Sequence, residues 1–171
     1  RLSKIHSETR MVGPGTRSEM LGLLFGEKRQ HFDHYTLQDH RAPNTSSDLL
    51  YRSVLKDRAR YVYYGFIKMR KEAQQSQGYQ TDRNLLLTGR ARADSIPVLE
   101  IEADDVKCSH ASATGPVDDD QLFYLMSRGL PRLEAERMLV EGFLEPVVAK
   151  VPLPWLREKL AYTIQSKLKD Q

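Results

Sequence analysis

Cysteine is almost absent from this 171-residue chain: Cys108 is its only one. A single thiol cannot close an internal disulfide, which excludes a small secreted scaffold held by bridges and leaves Cys108 free, reactive or coordinating. Long apolar runs are missing as well. No stretch approaches the roughly 18 residues that span a bilayer, and the opening RLSKIHSETR has no apolar core of the secretory-signal kind. The expectation is therefore a cytoplasmic protein with no membrane partner. The sequence also lacks a Gly-rich phosphate loop, a G-x-S-x-G elbow and an H-E-x-x-H pair, the usual signatures of nucleotide, serine-type and zinc-dependent hydrolysis. The chain starts at Arg1 in mid-pattern, as a piece of a longer protein would.

What is present is ordinary globular material, 40% hydrophobic and 29% charged, enough for a normal core in one domain or two small ones. The net charge of +3 is small, but it is unevenly spread. Arg52, Lys56, Arg58, Arg60, Lys68, Arg70 and Lys71 face a single acid, Asp57, and interleave with Tyr61, Tyr63, Tyr64 and Phe66. Asp94, Glu100, Glu102, Asp104, Asp105, Asp118, Asp119 and Asp120 face a single base, Lys107. A basic stretch with aromatics raises a nucleic-acid surface as one reading. Solvated strand faces explain it as well, and without a binding motif the expectation is no nucleic-acid partner.

Two regimes meet near Gly115 and Pro116. Before them, the short β-rich runs MLGLLF, DLLYRSVL, YVYYGFI, NLLL, PVLEIEA and DVKCSH are separated by Gly, Pro, Asn, Asp and Ser, which predicts many short strands over residues 1–115. A solenoid and a sandwich both fit that pattern. After them, over residues 116–171, the period becomes helical. Asp118 and Gln121 resemble a capping box, Leu122, Phe123, Leu125 and Met126 form an apolar stripe, and Gly129 can close the first helix. Pro131 suits the first turn of a second helix whose Leu133, Met138, Leu139, Val140, Phe143 and Leu144 bury one side. After Pro152 and Pro154, a third helix carries Leu156, Leu160, Ile164 and Leu168, with Trp155 at its start. Three short helices of this kind are marginal alone, so they are expected to dock, covering an open end of the β region.

In DVKCSH, strand alternation puts Val106, Cys108 and His110 on one face. Thiolate and imidazole are both zinc ligands, yet two ligands leave a site half made; the bland alternative is a small buried hydrophobe beside a satisfied histidine. A second constellation, HFDHYTLQDH, offers His31, His34 and His40 with Asp33 and Asp39. In a strand, residues three apart point to opposite faces, which disfavours His31 and His34 as joint ligands. Glu100 and Glu102 share a strand face and suggest, as a rival, a polysaccharide-active β-helix enzyme, although surface alternation explains them equally.

Longer strings are more specific. DDDQLFYLMSRGLPRLEAERMLVEGFLEPVV, HFDHYTLQDHRAPNTSSDLLYRSVLKDRARYVYYGFI and NLLLTGRARADSIPVLEIEADDVKCSHASATGPVD closely resemble the SufB/SufD family of the Suf iron-sulfur cluster assembly system, over nearly the whole chain. The KCSH form is most similar to the C-terminal part of the SufD branch. The run after His110 departs from the family's Gly-Ala-Thr, reading Ala111, Ser112, Ala113. The resemblance implies a right-handed parallel β-helix followed by a small helical domain. It also implies a non-catalytic scaffold subunit working with SufB and the ATPase SufC. His110, with Cys108 beside it, would be half of a metal or nascent-cluster interface completed by a SufB cysteine and glutamate. No tightly bound cofactor is expected on this chain alone, only a transient iron-sulfur cluster shared with SufB, and in isolation a homodimer is one of the states left open. Arg128 and Arg132, between the first two helices, are the expected SufC contact.

Overall fold

The computed structural model describes residues 1–169. Eight strands run in chain order: β1 (Leu2–Met11), β2 (Arg17–Gly26), β3 (His31–His40), β4 (Ser46–Leu55), β5 (Arg60–Met69), β6 (Ser76–Leu86), β7 (Arg92–Ile101) and β8 (Val106–Pro116). They form two four-stranded parallel sheets, β1-β3-β5-β7 and β2-β4-β6-β8. Consecutive strands thus alternate between sheets, and each coil of the chain stacks on the one before it. This is a parallel β-helix of four turns. The expected pieces are longer than the sequence suggests, because β1 and β3 are too polar to announce themselves by apolar content.

Sharp turns between strands use left-handed residues, among them Gly15, Lys28, Asn44, Asp57 and Gln75. Small side chains fill the inside of the corners: Ala42, Ala59, Ala73, Ala91 and Ala103 are all buried. The bore has two characters. One part is apolar and aromatic, built from Leu24, Leu49, Leu55, Tyr61 and Tyr63 of the first three coils. Elsewhere it is hydrogen-bonded: Thr36 Oγ1 and Tyr63 OH lie 2.8 Å apart, and Ser53 Oγ donates to Asn84 Oδ1 at 2.5 Å.

Three helices follow: α1 (Asp119–Ser127), α2 (Arg132–Lys150) and α3 (Pro154–Lys169). Asp118 caps α1, its carboxylate accepting from the backbone N–H groups of Asp120 and Gln121. Gly129 ends the turn at φ +93°, a conformation that suits glycine alone. Pro131 precedes α2 as its cap residue instead of lying in its first turn. The last two helices are not short, at 19 and 16 residues. The longer one tolerates Pro146, which removes a helical N–H and crowds the preceding turn; nearby, the Arg52 guanidinium donates to the Phe143 carbonyl and lies over the Phe143 ring.

The helices do not cover an open end of the solenoid. α2 and α3 lie along the outer surface of β2, β4 and β6, where Val54, Val140, Leu144, Ile164 and Leu168 are buried together against Leu23, Phe25 and Leu85, and α1 packs against α2. Removing each such side chain from water is worth about 1.5–3 kcal/mol. Those outward apolar positions drew the helices sideways. Lys150 bridges Glu19 at 3.0 Å and Asp48 at 2.7 Å, and Lys167 pairs with Glu27, whose carboxyl it holds below the usual range. The expected burial holds at Val140 and Leu144, which with Ala135 and Val147 form the buried face of α2, and fails at Leu133 and Met138, which are exposed; on α1, Leu122 is buried while Phe123 and Met126 are exposed.

Candidate functional site

The last rung carries the candidate site. Within its sheet β8 pairs with β6 alone, and among the described residues no strand lies on its outer side. The register sets Gly78 against Cys108, Gln80 against His110, Asp82 against Ser112 and Asn84 against Thr114. Gly78 lies against Met69 and Ile67, while Gln80, Asp82 and Asn84 are buried in the bore. Cys108, His110, Ser112 and Thr114 therefore share the bore side of β8, and the same-face expectation for the thiol and imidazole holds.

The two side chains differ in setting. Cys108 is half-buried and His110 exposed. Gly78, beside Cys108 on the neighbouring strand, has no room for a side chain: a Cβ there would lie 2.6 Å from Met69 Cε and 3.0 Å from Ile67 Cγ2. Burial pushes the Cys108 thiol up to about 11, so at neutral pH it is a protonated, weakly nucleophilic thiol until a metal or a positive group stabilises the thiolate. Among the described residues no group of three His, Cys, Asp or Glu side chains could hold a metal ion. Cys108 and His110 therefore offer two such ligands and no third among the described residues. The Ala111–Ala113 stretch is plain strand in register with Thr81, Asp82 and Arg83.

The other constellations are dispersed. His34 and His40 face the bore and His31 does not. His34 packs edge-on against Phe32, Tyr51 and Tyr61. His40 is fully buried with Nδ1 2.8 Å from Thr45 Oγ1 and Nε2 2.8 Å from Ser47 Oγ, and desolvation drops it to about 4. Asp33 pairs with Lys4, and Asp39 with Arg41 and Arg70. Glu100 and Glu102 both pair with Lys68, a surface cluster bridged by one lysine and not two free carboxyl groups across a groove. The basic stretch splits as well: Arg52 reaches Phe143, Lys56 lies 3.8 Å from Glu27, Arg60 lies 3.7 Å from Asp94, and Tyr61 and Tyr63 are interior.

Arg128 and Arg132 bracket the α1–α2 turn and are both exposed. The Arg128 guanidinium lies 5.2 Å from the Tyr124 ring centre, and Arg132 donates to Glu136 at 2.9 Å. Tyr124 under Arg128 is 56% exposed, and on the same two helices Phe123 at 72% and Met138 at 51% are exposed although sequence periodicity set them among the apolar stripes. The polar bore residues Gln80, Asp82 and Asn84 were also missed, since composition alone does not tell which face of β6 is turned inward.

Comparison with known proteins agrees with this architecture. Residues 1–143 match the family described as SUF system FeS cluster assembly, SufBD core domain. The chain is 40% identical over 173 residues to iron-sulfur cluster assembly SufBD family proteins of Mycobacterium leprae (strain TN) and Mycobacterium tuberculosis (strain H37Rv), covering 96% of this chain and 44% of each relative. It is 36% identical over 161 residues to the iron-sulfur cluster assembly protein SufD of Bacillus subtilis (strain 168), covering 94% of this chain and 37% of that relative. The chain spans less than half the length of these relatives. It belongs to the SufBD family of iron-sulfur cluster assembly proteins.

Proposed function

We propose that this SufBD-family chain is a non-catalytic, SufD-like scaffold of the cytosol that joins SufB and the ATPase SufC in building iron-sulfur clusters. The observation that carries the reading is the last rung: a strand unpaired along its outer edge presents Cys108 and His110 on the bore side, with no third ligand of its own. An exposed strand edge is a template for another chain, and a two-ligand half-site is what a shared cluster interface leaves in one subunit. SufB would supply the missing cysteine and glutamate. In its absence, the same edge would pair two copies of this chain. The cluster is cargo here, held in passing, and His110 is its exposed ligand while Cys108 needs its proton removed first.

The SufC contact belongs on α1 and α2, which carry the exposed Arg128 and Arg132 together with exposed Phe123, Tyr124 and Met138. Aromatic residues and arginine are the side chains that dominate binding at protein interfaces. The rival polysaccharide-active reading rests on Glu100 and Glu102, and their pairing with Lys68 weakens it.

The test is assembly of the chain with SufB and SufC, followed by cluster loading read from visible absorption. His110→Ala is expected to lose cluster loading with an unchanged melting temperature, and Cys108→Ser to lose less. Arg128→Glu or Arg132→Glu is expected to weaken SufC binding in calorimetry while cluster chemistry at the β8 edge is untouched. Normal loading by His110→Ala overturns the interface role, and unchanged SufC affinity in both arginine variants moves that contact elsewhere.

A further inference from the structure

The bore holds buried polar atoms that make no well-formed hydrogen bond. Gln80 Oε1, Asp82 Oδ1 and Ser95 Oγ have no hydrogen-bond partner, and neither do the amide atoms of Gln38. Gln38, Gln80 and Asp82 are at most 2% exposed. Leaving such groups dry costs about 1–3 kcal/mol each, so native proteins fill such sites with water or an ion.

The atoms converge. Gln80 and Asp82 are two apart on β6 and share its inward face. Gly65 makes room on the opposite sheet, since a Cβ there would fall 2.3 Å from Gln80 Nε2 and 2.4 Å from Tyr63 OH. Ser95 of β7 lies close enough to Asp82 to act on its carboxyl. Of the Asp82 oxygens, Oδ2 accepts from Asn84 Nδ2 at 2.8 Å, and Oδ1 is left over.

Charge decides what suits these groups. Asp82 makes no ion pair among the described residues, and every other buried polar group around it is neutral. A buried carboxylate without a counter-charge is costly. A carboxylate, an amide oxygen and a hydroxyl, with water completing the shell, are hard oxygen donors of the kind that suit Mg²⁺, Ca²⁺ and Mn²⁺ and not the softer thiolate-loving metals. The entrance is the open last rung, where Ser112 and Thr114 stand exposed directly over Asp82 and Asn84, and Asn84 reaches Thr114 Oγ1 at 3.2 Å.

We propose that the polar end of the bore is a binding site for one hard divalent cation, held by Asp82 Oδ1 with the oxygens of Gln80 and Ser95 and reached through the open rung of β7 and β8. It differs in chemistry from the pair Cys108 and His110, which stands on the next rung over Gly78 and Gln80 and offers sulfur and nitrogen. The proposal does not depend on partners or on cluster assembly.

Mn²⁺ is the probe, titrated into the purified chain and followed by loss of the free-ion electron paramagnetic resonance signal. Wild type is expected to bind a single equivalent and to melt higher with Mn²⁺ present. Asp82→Asn keeps the shape and an amide for Asn84 to meet. It is expected to stay folded, to lose at least about tenfold in affinity, as metal-site changes do, and to show no melting shift. Ser95→Ala is expected to weaken binding less. His110→Ala is expected to bind as wild type does. Absence of binding to wild type, equal binding by Asp82→Asn, or loss of binding in His110→Ala with retention in Asp82→Asn each overturns the assignment.

Discussion

Acid should attack this fold through one histidine. His40 is fully buried, and both of its ring nitrogens are taken, by Thr45 and Ser47. Its imidazole is neutral in the folded protein down to about 4, against 6.5 for an ordinary histidine, because desolvation disfavours the charged form. The unfolded chain therefore binds one more proton than the folded chain between those two values. Stability is fully present above the ordinary histidine range and is lost as pH falls from 6.5 towards 4. The whole gap is worth about 3 kcal/mol, and about 2 kcal/mol of it is gone between pH 7.5 and pH 5. Other groups titrate nearby: Glu27 and Asp39 are lowered by their basic partners, Asp82 is raised by burial and His34 is lowered by it. A double comparison removes them. Urea unfolding of wild type and of His40→Gln, each at about pH 7.5 and about pH 5, gives the loss in each protein. Wild type should lose about 2 kcal/mol more than the variant. Equal losses in both would refute a neutral His40 and with it the hydroxyl cage drawn around the ring.

Two more outcomes follow from burial. Alkylation of Cys108 should be slow at about pH 8 and should rise with pH through about 11, measured as iodoacetamide rate against a model thiol; a rate that levels off near pH 9 would place the thiol in water. Leu144→Ala empties the joint between α2 and the solenoid and should cost about 2–5 kcal/mol, with the far-ultraviolet helical signal melting before the sheet; a single unshifted transition would show that the helices are held by something other than this cluster.

The change of regime near Gly115 and Pro116 was legible because period is a backbone property: β8 ends at Pro116 and α1 starts at Asp119. So was the sharing of one face by Cys108 and His110, which needs only alternation. The solenoid itself was harder to see. Its repeat is carried by size at the corners, not by apolar content. Ala42 and Ala73, then Ala59 and Ala91, then Ala73 and Ala103 recur at about 30 residues along the chain, and alanine is too common for that recurrence to stand out. The strand LSKIHSETRM is polar on both faces, and only its ladder with β3 makes it a strand. Helix burial was misjudged at Phe123, Met126, Leu133 and Met138 because periodicity tells how apolar residues are spaced and not which neighbour receives them. The docking surface was offered by Val54, Leu23, Phe25 and Leu85 on the outside of three strands, and a single sequence gives no sign of which strand residues point out.

The lateral seat of the helices has a mechanical consequence. By gripping β2, β4 and β6 at once, α2 and α3 splint the earlier coils to each other, so those coils must open as a unit. The strands β7 and β8 are stitched only to the coil before them and lie beyond the splint. Breathing should therefore be concentrated in the coil that bears Cys108 and His110, whose amides would exchange with solvent well ahead of those in β4 and β5. A coil that loosens without unravelling its neighbours is able to adjust its edge to a visiting chain and to release it again.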